Sequence, residues 1–149
     1  MEVFMFGFII ALVSGVLMSI QGVFNTEVTK QSSTWTTSTF VQATGFLACL
    51  IVWFVTEREQ SFTMLLKVSP KYLLLGGIIG AAITFTVIKS VASLGPAQSA
   101  MLIVASQSVV SYLIEVFGLF GVEKTGFAWI KLLGVVLFVA GLLIFKWKS

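Results

Sequence analysis

Histidine is absent from this chain, cysteine occurs once, proline twice, and charged residues make up only 10% of it. Each shortage excludes something. Without histidine, a proton-linked step near neutral pH falls to another group, and a carboxylate is the natural one. The lone Cys49 lies inside an apolar run. It permits no intramolecular disulfide and no cysteine-built metal site, and it reads as a small buried or lipid-facing side chain. Soluble domains carry about a quarter charged residues, so the scarcity of charge argues against a domain folded in water. Also missing are a phosphate-cradling glycine loop, a metal-ligand cluster and a nucleophile–base arrangement. No cofactor and no metal are therefore expected, and the chain does not read as an enzyme. The glycine-rich stretch LLLGGIIGAA falls inside an apolar run and is a packing feature.

Apolar surface is what the sequence has instead. Of its 149 residues, 58% are hydrophobic, and the mean hydropathy is +1.06. A soluble chain this short buries only about 60–70% of the surface it would otherwise expose, so the natural solvent is a lipid bilayer. The net charge of +3, from nine Lys or Arg against six Asp or Glu, is not a nucleic-acid footprint. The charges are scattered singly near the ends of apolar runs. Lys146 and Lys148 stand where a spanning helix would meet anionic headgroups, and Glu2 and Glu27 read as headgroup residues.

A helix needs about 20 apolar residues to cross the hydrocarbon core. Stretches of that kind predict an all-α integral membrane protein: one transmembrane domain over 1–149 with five spans, about 3–24, 35–55, 72–94, 97–119 and 127–145. The runs are continuously apolar, without the period-two alternation of barrel strands. Val3–Phe24 reads as a retained span and not a signal peptide, because no Lys or Arg precedes it and it is too long for a signal core. Gly95-Pro96 predicts a tight turn, with proline placed to start the fourth helix. Trp35, Trp53, Trp129 and Trp147 all fall near predicted span ends, where indoles are favoured. No connection has room for a soluble domain, so the function belongs in or across the membrane.

Orientation is nearly balanced. Arg58, Lys67, Lys71, Lys124 and Lys131 collect on one side and Lys30, Lys89, Lys146 and Lys148 on the other. Two readings follow. The first is a fixed orientation with the first side cytoplasmic. The second is insertion both ways, giving an antiparallel homodimer, since many transporters consist of two inverted halves.

Small residues recur at helix-packing spacing: Ala11, Gly15 and Ser19; Gly76, Gly80 and Thr84; Gly134 and Gly141. They permit close approach of helix backbones in lipid. Polar residues inside spans are costly and informative. Gln21 and Asn25 lie one turn apart, with Ser14 and Met18 continuing their face. Ser38, Gln42 and Gly45 share a face of the second span. These amides either line one vestibule or bond between helices. In the fourth span Ser108, Ser111 and Glu115 share a face flanked by Gln107 and Tyr112. Glu115 lies about one turn inside the predicted end, where desolvation disfavours its charged form. It can alternately hold a proton and a cationic solute, or it pairs with a lysine or snorkels as a structural residue. Lys89 either snorkels or partners a buried acid or an anion.

The segment from Leu94 to Phe145 resembles the C-terminal half of a drug/metabolite transporter unit. Leu94-Gly95-Pro96 opens a helix, Gly121 with Glu123-Lys124-Thr125 closes the next loop, and Gly134 and Gly141 mark the final helix. Val122 interrupts the adjacent Gly-Glu pair of that superfamily. With QGVFNTEV (Gln21–Val28) and FGLFG (Phe117–Gly121) included, the chain is similar to the YdcZ-like branch of five-helix transporter halves, over nearly its whole length. The resemblance implies a unit completed by a second, inverted copy of itself or by a paralogous half. It also implies alternating access around a midplane site in a bacterial inner membrane. Small multidrug exporters of the superfamily carry a coupling carboxylate midway along the first helix. Here that region is Val13-Ser14-Gly15-Val16, with no acid.

The resulting expectation is a transporter of a small organic solute, a cation or polar metabolite. Gln21, Asn25, Gln42, Gln107, Ser111, Tyr112 and Glu115 are the candidate solute contacts, and Glu115 is the candidate proton-coupling group. The rivals are a non-transport subunit that assists assembly or regulation of a partner, and a small channel. A subunit needs no water-accessible polar cavity, and a channel would pass sustained currents.

Overall fold

A computed structural model describes residues 2–146, with side chains omitted at 2, 3, 142 and 146. Trp147 and Lys148, read above as interfacial, lie outside the described residues, as do the side chains of Lys146 and Glu2. The described chain contains the α-helices α1 (Glu2–Lys30), α2 (Thr34–Thr56), α3 (Gly76–Leu94), α4 (Pro96–Phe117) and α5 (Trp129–Lys146). Four helical segments are long and apolar enough to cross a membrane: Phe4–Lys30, Thr34–Thr56, Lys71–Leu94 and Pro96–Phe117. The last of these meets that measure despite its serines and Glu115. The helix α5 has 18 residues. The chain divides into two compact units, Met1–Ser93 and Leu94–Ser149.

In the first unit α1 runs past the expected end at residue 24 as far as Lys30. Polar composition suggests a break there, but the polar side chains find their partners within the helix. The Thr26 hydroxyl donates to the Gly22 carbonyl at 2.8 Å, the Thr29 hydroxyl donates to the Asn25 carbonyl at 2.8 Å, and Lys30 pairs with Glu27 at 2.6 Å, one turn apart. A short turn then reverses the chain. Ser33 caps α2 by accepting from the Thr36 amide at 3.2 Å. The hydroxyls of Thr29 and Ser32 lie 3.0 and 2.9 Å from that of Thr37, which is buried. The α1–α2 corner is thus held by hydroxyl contacts in place of apolar side chains.

The helix α3 packs on both. A Cβ added at Gly22 would stand 3.4 and 3.7 Å from Val87 and Val91, so α1 approaches α3 closely there. Trp35 stacks on Phe85 with ring centroids 4.6 Å apart, and Gln42 lies against Gly80. Ile88 is fully enclosed, and Gly22, Asn25, Thr26, Thr37 and Ser38 are the other buried residues among those described in this unit. Apolar side chains of α1 from Phe4 to Ile20 face outward, as expected of a helix whose surroundings are lipid or another protein.

In the second unit Gly95 adopts φ +80°, a conformation glycine alone takes readily, and Pro96 follows as the first residue of α4. The helix ends at Phe117, two residues before the expected end. Gly118 turns left-handed (φ +65°) and its amide bonds back to the Ile114 carbonyl. A 3-10 turn over Leu119–Gly121 and an extended run lead to α5, which begins at Trp129.

Candidate functional site

The packed hairpin of α4 and α5 encloses the chemically richest groove of the second unit. It holds about 400 Å³ and is lined by Ala105, Ser108, Ser111, Tyr112, Glu115, Lys131, Gly134, Val135 and Phe138. The lining follows from simple geometry. Ser108 and Phe138, Ser111 and Val135, Tyr112 and Gly134, Glu115 and Lys131 are pairs equidistant in sequence from Glu123. An antiparallel hairpin turning about that residue therefore sets each pair at one level.

At the mouth of the groove the Lys131 ammonium donates to the Glu115 carboxylate at 3.0 Å, with both side chains roughly half exposed. The ammonium also lies 5.3 Å from the centroid of the Tyr112 ring, within cation–π range. Each charge sits at the unfavourable end of its own helix. Glu115 is in the last turn of α4, where the dipole is negative, and Lys131 is in the first turn of α5, where it is positive. Each is compensated by the neighbouring helix end and by its partner.

The Tyr112 hydroxyl is engaged with backbone, while its ring lines the groove. Its hydroxyl accepts from the Ala128 amide at 2.8 Å and donates to the Ala128 carbonyl at 3.2 Å. The backbone just before α5 is therefore tied to the side of α4, and the hydroxyl is already committed. The ring still forms a wall of the groove. Ser108 returns its hydroxyl proton to the Val104 carbonyl at 2.8 Å, leaving its lone pairs to face the groove. Gln107 stands on α4 outside this lining and is exposed.

A second groove, of about 540 Å³, follows one face of α1 and is lined by Ser14, Leu17, Met18, Ile20, Gln21, Phe24 and Asn25. Gln21 is exposed, and Asn25 is 8% exposed. Gln42 is not among its lining residues and rests beside Gly80 of α3. The structure thus groups Ser111, Tyr112 and Glu115 in one groove and Gln21 and Asn25 in another. Lys89 is exposed with its ammonium 5.8 Å from the Phe85 ring centroid. Among the described residues no group of three or more acidic, histidine or cysteine side chains is suited to a metal ion.

By sequence alone Lys131 is one of the charges that bear on orientation. The signal that reveals its role is the equidistance of positions 115 and 131 from the turn, legible once the α4–α5 hairpin is assumed.

The family described as "Putative inner membrane exporter, YdcZ" has a sequence model that matches residues 6–144. The chain belongs to this family. The match spans both units, and with the apolar helices it makes the chain an inner-membrane protein of an exporter family. No curated protein matches the chain. No solved structure matches it either.

Proposed function

We propose that the chain is one half of an exporter for a small organic solute, a cation or a polar metabolite. Two copies in opposite orientation, or one copy and a paralogous half, complete a transporter that works by alternating access. The two units act as a single transmembrane domain, and α5 forms the fifth span. The observation that carries this reading is the Glu115–Lys131 pair. It opens onto the groove between α4 and α5, where Ser108, Ser111 and Tyr112 stand among apolar side chains, within a chain of an exporter family. Half-exposed ion pairs add little to stability in water, and charges inside spans generally mark solute or ion pathways.

Glu115 is the coupling group in this proposal. With the carboxylate charged, Lys131 is its partner. A proton or a cationic solute reaching Glu115 takes over that role and releases the ammonium, so the pair exchanges partners between the two access states. Ser111 and the Tyr112 ring contact the solute from α4, and Gln21, Asn25, Gln42 and Gln107 supply polar contacts elsewhere along the pathway.

The case for a partner copy rests on the small-residue faces. Within its own unit, a Cβ at Gly15, Gly76, Gly77, Gly134 or Gly141 would meet no heavy atom within 4 Å. Residues of this kind serve close helix approach in lipid, and a second copy supplies the missing neighbour. Proteoliposomes test the coupling: with an imposed pH gradient, Glu115→Gln should abolish proton-driven solute movement while leaving solute exchange. Unchanged gradient-driven movement in that variant would remove Glu115 from the mechanism. Reporters fused to the C-terminus should read out on both sides of the membrane. A single orientation would exclude the antiparallel homodimer.

A further inference from the structure

The connection between α2 and α3 is unlike a water-facing loop. Its first residues, Glu57, Arg58 and Glu59, carry mixed charge. From Gln60 to Leu75 the only charged residues are Lys67 and Lys71, set among Phe62, Met64, Leu65, Leu66, Tyr72 and Leu73–Leu75. The chain folds this stretch into two 3-10 helices, Phe62–Lys67 and Lys71–Leu75. They leave the apolar side chains outward: Leu66 is 74% exposed, and Phe62, Met64, Leu65 and Tyr72 are exposed as well. In a chain whose apolar helices face lipid, outward apolar side chains in a connection place that connection against the membrane as well.

The segment is also held in shape. The Trp53 ring in the last turn of α2 packs on Phe62 at 4.5 Å between centroids, and its indole N–H donates to the Gln60 carbonyl at 3.0 Å. Ser61 caps the first 3-10 helix by accepting from the Thr63 amide at 3.2 Å. The Lys71 ammonium donates to the Leu66 carbonyl, which folds the apolar turn back towards the start of α3. The stretch lies between two membrane-length segments, Thr34–Thr56 before it and Lys71–Leu94, which its second 3-10 helix opens. The segment therefore cannot leave the membrane boundary.

We propose that residues 61–75 form a membrane-interface anchor for anionic lipid. Phe62, Met64, Leu65 and Leu66 enter the boundary between headgroups and acyl chains, and Lys67 and Lys71 meet lipid phosphate. An ammonium has three donors, so Lys71 can hold the Leu66 carbonyl and a phosphate oxygen together. Trp53 stands at the depth where indoles are favoured. The positive charge of this segment fits an anionic leaflet. A symmetric contact with the same face of a second copy would instead bring lysines towards lysines. The proposal is independent of the transport reading, because it concerns where this segment sits and which lipid it selects.

Environment-sensitive fluorescence tests it. The protein carrying Cys49→Ser and Leu66→Cys, labelled at position 66, is placed in phosphatidylcholine vesicles with and without phosphatidylglycerol. The label should be quenched by lipid-borne nitroxide near the headgroup and shielded from aqueous iodide. A label at Glu59→Cys should be open to iodide. Lys67→Gln should lower the enrichment of phosphatidylglycerol around the purified protein about fivefold, the equivalent of one lysine at an anionic surface, and Lys67→Arg should restore it. Iodide quenching at 66 equal to that at 59 would overturn the proposal. So would shielding from both quenchers, which would mean that protein covers the face, and so would unchanged lipid enrichment in Lys67→Gln.

Discussion

Lys131 meets Glu115 at 3.0 Å across the α4–α5 hairpin, although each residue stands against the dipole of its own helix. The arrangement makes the two charges interdependent. Removing either leaves the other at an unfavourable helix end without its partner. A double-mutant cycle of Glu115→Gln and Lys131→Met, read by thermal unfolding in detergent, should give a favourable coupling energy of about 1 kcal/mol. The double variant should lose less stability than the sum of the losses in the two single variants. A coupling energy of zero would show that the contact has no energetic consequence.

Tyr112→Phe should separate a structural tyrosine from a solute contact. The hydroxyl serves both backbone groups of Ala128, and leaving such groups unsatisfied costs about 1–3 kcal/mol. A lower melting temperature with an unchanged KM for transport is the expected result. A raised KM with unchanged stability would return Tyr112 to the solute.

Glycines at two positions of α1 should respond differently. Gly22 faces Val87 and Val91, whereas Gly15 meets nothing within 4 Å in its unit. Gly22→Leu should destabilise the first unit by about 1–3 kcal/mol through overpacking. Gly15→Leu should leave the fold intact and weaken self-association, measured by single-molecule photobleaching or crosslinking in vesicles. Intact association in Gly15→Leu would take this face out of the dimer contact.

Gly118→Ala tests the end of α4. The glycine has φ +65°, and a Cβ there would stand 3.1 Å from the Lys124 Cβ and 3.4 Å from the Val122 carbonyl oxygen. Left-handed backbone costs a non-glycine residue about 1–2 kcal/mol, and the crowding adds to it. The variant should melt earlier, and Gly126→Ala, with open space around it, should not.

Most of the helical architecture is legible in the sequence, because uninterrupted apolar runs of that length have few other solutions in lipid. Sequence and structure differ where polarity suggests a loop. The stretch from Asn25 to Lys30 is helical, and Thr26 and Thr29 satisfy their hydroxyls on carbonyls of the preceding turn, a contact that composition does not display. The candidate site was partly legible. Glu115, Ser108 and Ser111 follow from helical spacing, but Lys131 belongs to another helix, and pairing across a hairpin depends on where the turn falls. The glycine stripes were readable as packing faces. Which neighbour fills each depends on tertiary placement: a Cβ at Gly80 would meet Gln42, whereas one at Gly15 or Gly76 would meet nothing within 4 Å.

The clasp between Tyr112 and Ala128 bears on how the chain enters the membrane. Ala128 also receives the first amides of α5, from Lys131 at 3.0 Å and Leu132 at 3.4 Å, so the root of that helix is completed by a side chain borrowed from α4. An unsatisfied backbone amide costs several kcal/mol in hydrocarbon, and in the proposed five-span arrangement α5 entering the membrane alone would carry that burden. That arrangement is accordingly expected to favour insertion of the two helices together, as a preassembled hairpin.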